Sequence, residues 1–165
     1  FDGLDLSSAT WGTLVDLDQD GDLDLVWASE YGAGGYAENT GNPTTPRFVL
    51  RFGVENPFSG VSSEMYEIAL PTFGDFDGDS DVDLLQFGGM ENGVEYFENV
   101  GPPGGPTFLR RDDVEMPFPS PRRWGGLDRP AFADLDGDGL VDLVVARSQG
   151  QLLFRSTGLV PFSFP

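Results

Sequence analysis

Fourteen of the 28 acidic residues in this 165-residue chain are crowded into three short stretches that share one spacing. The first is Asp16, Asp18, Asp20, Asp22 and Asp24, with Gly21 inside it; the second is Asp75, Asp77, Asp79, Asp81 and Asp83, with Ser80 where the glycine stood. The third is Asp134, Asp136, Asp138, Gly139, Leu140 and Asp142, and the first aspartates lie 59 residues apart both times. Alternate residues of a sharply turning loop can aim several carboxylates at one point, and such an oxygen cage suits a hard cation such as Ca2+. Aspartates at positions 1, 3, 5 and 9 would supply carboxylates, and position 7 (Asp22, Asp81 and Leu140) a backbone carbonyl that is indifferent to its side chain. Position 6 favours glycine because the chain turns there through a left-handed conformation. Ser80 at that position costs on the order of 1 kcal/mol, which predicts that the second site is the weakest. Without a cation, carboxylates this close repel one another strongly. Three bound Ca2+ would bring the formal charge from −19 to −13. An EF-hand uses a similar spacing but needs a bidentate Glu at position 12 and flanking helices. Position 12 is Trp27, Gln86 and Val145, each inside a short apolar run, so the loops read as β-hairpin loops.

The residue types that are missing exclude much else. All nine basic residues are Arg, and the chain has no Lys, His or Cys. That removes Ser-His-Asp and Cys-His nucleophile systems, disulfides, Schiff-base lysines, and the usual zinc, haem and iron-sulfur ligand sets. A net charge of −19 and a pI near 4.1 would repel nucleic acid. What remains is carboxylate, hydroxyl, amide and guanidinium chemistry. Two carboxylates about 5 to 9 Å apart can cleave a glycoside, and acids outside the loops such as Glu64 and Glu67 keep that reading open. It is the remotest, because the clustered aspartates are already explained as cation ligands. No catalytic residue is assigned.

The elements that must hold these loops follow from the repeat. Glu38-Asn39-Thr40-Gly41 returns as Glu98-Asn99-Val100-Gly101, and Val54-Glu55-Asn56-Pro57-Phe58 as Val114-Glu115-Met116-Pro117-Phe118. Three repeats result, at 1–57, 58–117 and 118–165. With 39% hydrophobic and 13% aromatic residues the chain can bury a core, but no helical period survives for ten residues. Short apolar runs bounded by Gly, Pro, Asn and Asp predict four strands per repeat: 10–16, 23–28, 35–39 and 47–52; then 70–75, 83–88, 93–98 and 107–111; then 129–134, 141–147, 150–155 and 160–164. The second strand of each repeat is apolar on both faces (Leu25 and Val26; Leu84 and Leu85; Val144 and Val145), as in a sheet sandwiched between layers. The expected fold is all-β, with three four-stranded antiparallel propeller-type blades.

The loop with its preceding strand Pro130 to Ala133, followed by Tyr96-Phe97-Glu98-Asn99 and Pro106-Thr107-Phe108 in the second repeat, resembles the FG-GAP/VCBS repeat family across essentially the whole chain. The resemblance implies integrin-α-like propeller blades with Ca2+ held in the hairpin between the first two strands. It implies ligation by Asp16, Asp18, Asp20, Asp24 and their equivalents, and adhesion or scaffolding more often than catalysis. The chain departs from the family pattern at Ser80 and in the third repeat, which lacks the Glu-Asn pair.

Closed propellers need roughly four to eight blades, so three blades predict a partial or oligomer-completed propeller, with a protein partner or further blades of the same propeller covering its ends. A calcium-dependent, lectin-like module is the alternative, with Trp11, Tyr31, Tyr36 and Trp124 as aromatics that could stack on a glycan; burial between blades is their simpler fate. Arg110-Arg111 and Arg122-Arg123 could meet an acidic partner, or pair with the acidic surroundings. Phe1 in place of Met suggests a processed or partial product. No window approaches about 18 apolar residues and no basic-then-apolar opening is present, which predicts neither a membrane span nor a signal peptide in this stretch. Dependence on Ca2+ points to an extracellular or lumenal setting.

Overall fold

The computed structural model describes residues 4–7, 9, 11–29, 32–61, 70–88, 93–112, 129–137, 142–147 and 150–154. Within them the chain forms three antiparallel sheets, one per repeat. The first is β1 (Trp11–Val15), β2 (Asp24–Ser29), β3 (Gly32–Asn39) and β4 (Phe48–Leu50), in that spatial order. The second repeats it with β5 (Leu70–Gly74), β6 (Asp83–Gly88), β7 (Gly93–Asn99) and β8 (Phe108–Arg110). The third holds β9 (Arg129–Ala133), β10 (Asp142–Arg147) and β11 (Gly150–Phe154). The fourth strand expected at 160–164 lies outside the described residues, as do Asp138, Leu140, Tyr31, Trp124 and Arg122-Arg123. Two short 3-10 helices, Gly53–Glu55 and Pro57–Gly60, join the first sheet to the second repeat. Among the described residues no helix is long and apolar enough to cross a membrane.

The sheets share one register, so equivalent positions can be read across them. Val15 pairs with Asp24, Gly74 with Asp83 and Ala133 with Asp142. Leu14, Phe73 and Phe132 are therefore equivalent, and so are Leu17, Phe76 and Leu135, the second residues of the aspartate loops. Side chains alternate across a strand, which is why β2 and β6 can be apolar on both faces and bury both.

The core sits between the sheets. Leu17, Val26 and Tyr36 of the first repeat meet Leu84 and Phe97 of the second, with Phe73, Val82 and Phe108 packed against them. Phe58, on the second 3-10 helix, is the wedge in that seam. Its ring stacks on Phe108 at 5.2 Å and 10°, and meets Tyr36 and Phe73 edge-on at 6.3 and 5.9 Å. Asn56 caps that helix by accepting the Phe58 N–H at 3.0 Å. The next seam repeats the arrangement, with Phe76 against Phe132 at 4.7 Å. The second residue of a loop thus packs under the following sheet, which ties loop position to sheet stacking.

Candidate metal centres

Each loop is folded by its own carboxylates, which accept from backbone N–H groups two to five residues onward. In the first, Asp18 accepts from Asp20 N at 3.2 Å, Asp16 from Gly21 N at 3.1 Å and Asp20 from Asp22 N at 3.0 Å. The second repeats this, Asp77 accepting from Asp79 N at 3.1 Å, Asp75 from Ser80 N at 3.1 Å and Asp79 from Asp81 N at 2.9 Å. Asp75 and Asp134 also accept from the glycines at position 4, Gly78 and Gly137, at 2.7 Å each.

The turn is left-handed at two places. Position 6 has φ 94° at Gly21 and 78° at Ser80; position 4 has 63° at Gln19, 85° at Gly78 and 80° at Gly137. Each of the first two loops thus carries one non-glycine residue in that region, so Ser80 alone does not rank the second site below the first. The signal for position 4 was present as the glycines at 78 and 137, and Gln19 hid it.

Position 9 has a role that spacing alone does not reveal. Asp24 is fully buried and accepts three hydrogen bonds, from Leu17 N at 3.3 Å, the Tyr36 hydroxyl at 2.9 Å and Asn39 N at 2.7 Å. Asp83 does the same with Phe76 N at 3.0 Å, the Tyr96 hydroxyl at 3.0 Å and Asn99 N at 2.8 Å. In the third copy Asp142 is buried and accepts from Leu135 N at 3.2 Å. In the first two sheets this carboxylate pins the loop to the third strand. Asn39 and Asn99 then turn the chain onward, each accepting two N–H groups across the next hairpin. Gly41 and Gly101 follow because a Cβ there would lie 2.3 and 2.2 Å from a carbonyl oxygen. That explains the recurrence of Asn-x-Gly. Tyr36 is buried as an Asp24 partner, Trp11 is half-buried, and neither is an exposed stacking platform.

The first two loops gather carboxylate oxygens, in sets that are not identical. Asp16, Asp18 and Asp20 each bring a carboxylate oxygen within 4.8 Å of the others in the first loop; in the second the group is Asp75, Asp77 and Asp83. Asp134 and Asp136 are exposed. Among the described residues, three buried carboxylate oxygens, on Asp16, Asp22 and Asp81, have no hydrogen-bond partner. Asp22 is only 5% exposed, so its side chain, not just its carbonyl, faces the interior of the loop region. Burial, then repulsion from neighbouring aspartates, raises the pKa of Asp22 and Asp81, the latter to about 6. Burial also raises Asp18 and Asp77, and it lifts Asp24 to about 6 and Asp83 to about 7 against the hydrogen bonds that oppose it. Uncompensated carboxylate oxygens held dry and close are what a hard divalent cation satisfies.

The first loop is also tied to the second repeat: Gly104 N donates to the Asp18 carbonyl at 2.7 Å, and Gln19 Nε2 to the Ser80 carbonyl at 3.3 Å. Beside this junction lies a cleft of about 400 Å3, lined by Asp18, Tyr36, Glu38, Arg51, Glu55 and the turn at 104–107. Arg51 Nε pairs with Glu38 at 2.7 Å. Arg110 pairs with Glu95 at 3.0 Å and Asp112 at 2.7 Å, and Arg111 with Glu98, so this basic pair is engaged by its own acidic surroundings.

A family model described as an FG-GAP-like repeat matches residues 16–86 and again 75–145. No curated protein matches this chain. Among solved structures, an Agrocybe aegerita lectin described as recognising non-reducing terminal N-acetylglucosamine superposes on 99% of the chain with a TM-score of 0.57 at 20% identity. The chain spans 38% of that lectin's length. At this identity the likeness is one of fold, and it agrees with three propeller-type blades.

Proposed function

This chain belongs to the FG-GAP-like repeat family, and on that premise we propose that it is a non-enzymatic module of three blades, 1–57, 58–117 and 118–165, whose aspartate loops bind up to three Ca2+. The ions hold the hairpins rigid, so that the rim carrying them presents a fixed surface to a protein partner or to further blades. The observation that carries the reading is the pairing of gathered carboxylates with buried oxygens that lack any partner, found in both of the first two loops. The ligands are Asp16, Asp18, Asp20 and Asp24 with their equivalents, joined by the position 7 carbonyls. An extracellular or lumenal setting fits, because only there is Ca2+ abundant enough to fill sites of ordinary affinity.

Bound ions stabilise by RT ln(1 + [Ca2+]/Kd), about 2.7 kcal/mol per site at a hundredfold excess over Kd. Melting curves in millimolar Ca2+ and in chelator test this. The reading predicts a rise with Ca2+ that shrinks in Asp16→Asn and Asp75→Asn; an unchanged melting temperature would refute it.

A second reading, a calcium-dependent lectin-like module, is favoured by one observation: the cleft beside the first loop is lined by Arg51, Glu38 and Asp18 together with Tyr36, a mixture suited to a polyhydroxylated ligand. The lectin of similar fold adds only that such a scaffold can carry glycan recognition. Glycan-array binding that is lost in chelator and in Arg51→Ala would support it. An array without signal would leave the interaction module.

A further inference from the structure

The first aspartate loop is not held by its own repeat alone. Asp18, one of its gathered carboxylates, accepts at its backbone carbonyl from Gly104 N of the second repeat at 2.7 Å, and Gln19 Nε2 donates to the Ser80 carbonyl of the second loop at 3.3 Å. Local sequence supplies the Gly104 donor. Pro102-Pro103-Gly104-Gly105 closes with Gly105 N on the Pro102 carbonyl at 2.9 Å, and Gly104 has φ 80°. Proline second and a left-handed glycine third are the pattern of a type II turn. Compared with type I, a type II turn flips the middle peptide, whose N–H belongs to that glycine. The equivalent turn of the first repeat, Asn42-Pro43-Thr44-Thr45, closes the same way at 3.1 Å, but Thr44 is not left-handed and its N–H donates back to Asn42 Oδ1 at 3.0 Å. Glycine at 104 therefore points outward, to the neighbouring loop, an N–H that the first repeat uses within its own turn.

The second loop holds the same turn. Asp83, in the second gathered set, accepts Asn99 N at 2.8 Å, and Asn99 Oδ1 accepts Gly101 N at 3.1 Å and Thr107 N at 2.9 Å, bracketing the turn on both sides. We propose that Gly104 is a positioning residue of the first calcium site, and that through it Ca2+ in the second loop tightens Ca2+ in the first. The proposal rests on the calcium reading above and adds that the two sites are not independent. An ion that fixes Asp83 also fixes Asn99, the turn and the Asp18 peptide, so the first loop is ordered before its own ion arrives. Such coupling is reciprocal, and the first ion tightens the second by the same factor. Direct repulsion between the two ions acts in the opposite sense, and about 0.15 M salt screens exposed charges beyond about 8 Å.

The test is a Ca2+ titration of the isotope-labelled full chain by NMR, at about 0.15 M salt. The amides of Gly21 and Ser80 each donate to the first carboxylate of their own loop, so they read the two sites separately. Asp75→Asn removes a charge but keeps an acceptor for the Gly78 and Ser80 amides. It should move the Gly21 isotherm about fivefold or more to higher Ca2+, with the Ca2+-free Gly21 resonance unmoved. Asp16→Asn should move the Ser80 isotherm by the same factor. Pro102→Asn, Gly104→Thr and Gly105→Thr together copy the turn that already folds in the first repeat. Gln19→Asn withdraws the other link by one methylene and tolerates the left-handed conformation. With all four substitutions, and native packing confirmed by near-UV circular dichroism, the Gly21 isotherm should no longer respond to Asp75→Asn. A Gly21 isotherm that Asp75→Asn leaves in place or moves to lower Ca2+ overturns the proposal, whether or not the fourfold variant folds. So does coupling that survives in that variant, or a Gly21 resonance already displaced without Ca2+, which marks a purely structural effect. Absence of any Ca2+-dependent shift at either amide overturns the calcium reading and this proposal with it, whereas normal but independent isotherms overturn this proposal alone.

Discussion

Replacing Tyr96 by Phe removes one oxygen and nothing else, and its cost measures how firmly the second aspartate loop is pinned to its sheet. The Tyr96 hydroxyl donates to Asp83 Oδ2 at 3.0 Å, with Tyr96 3% exposed and Asp83 completely buried. A hydrogen bond to a charged acceptor contributes about 1.5 to 3 kcal/mol, and solvent cannot replace it at this site. For a chain of this size each kcal/mol moves the melting temperature by about 2 to 4 °C. The Tyr96→Phe variant should therefore melt about 3 to 12 °C below wild type, in chelator and at a pH above 7, where Asp83 is ionised. Tyr36→Phe, which removes the matching bond to Asp24, should behave alike. Differential scanning calorimetry reads the shift directly. A loss below about 1 °C in both variants would refute the claim that these carboxylates anchor the loops.

Truncating Phe58 to Ala empties the seam between the first two sheets and should cost about 3 to 5 kcal/mol, read as a chemical-denaturation midpoint shift without loss of far-UV signal. Asp24, Asp81 and Asp83 carry pKa values raised by burial to about 6, 6 and 7, so between about pH 4 and 7 the folded chain holds more protons than the unfolded one. Stability in chelator should accordingly fall as pH rises from about 5 to 8, and Ca2+ affinity should rise over the same range as protons leave the sites. Ser80→Gly should stabilise by about 0.5 kcal/mol, the left-handed strain relieved less the extra freedom of an unfolded glycine. Gln19→Gly should gain less, because it also loses the Gln19 Nε2 bond to the Ser80 carbonyl; a loss of stability in Ser80→Gly would contradict the strain argument.

Most strands were legible because the chain punctuates them heavily: an Asp-rich loop, a Gly-rich hairpin or an Asn-Gly turn closes each apolar run within a few residues. β3 begins at Gly32, three residues before the expected start, because Gly32-Ala33-Gly34-Gly35 offers no apolar alternation to read. Gly35 is there for another reason, since a Cβ would overlap the Trp27 ring at 1.8 Å. The two 3-10 helices were missed because three or four residues cannot show a helical period. Phe58, the first residue of the second repeat, also wedges the seam between the first two sheets, a role that its place in the repeat did not reveal. At the loops, spacing located the carboxylates but not their partners. That Asp24 and Asp83 bind the protein itself through three hydrogen bonds depends on Tyr36, Asn39, Tyr96 and Asn99, which lie 12 to 16 residues away in sequence and come together only when the third strand pairs.

The central claim, that the repeated loops are calcium sites, is tested most directly by counting the ions. Chelator-stripped protein dialysed to equilibrium against Ca2+ and assayed by atomic emission should retain two or three ions per chain, with Asp16→Ala and Asp75→Ala each removing one. Protein that retains none, or variants that leave the count unchanged, would contradict the account.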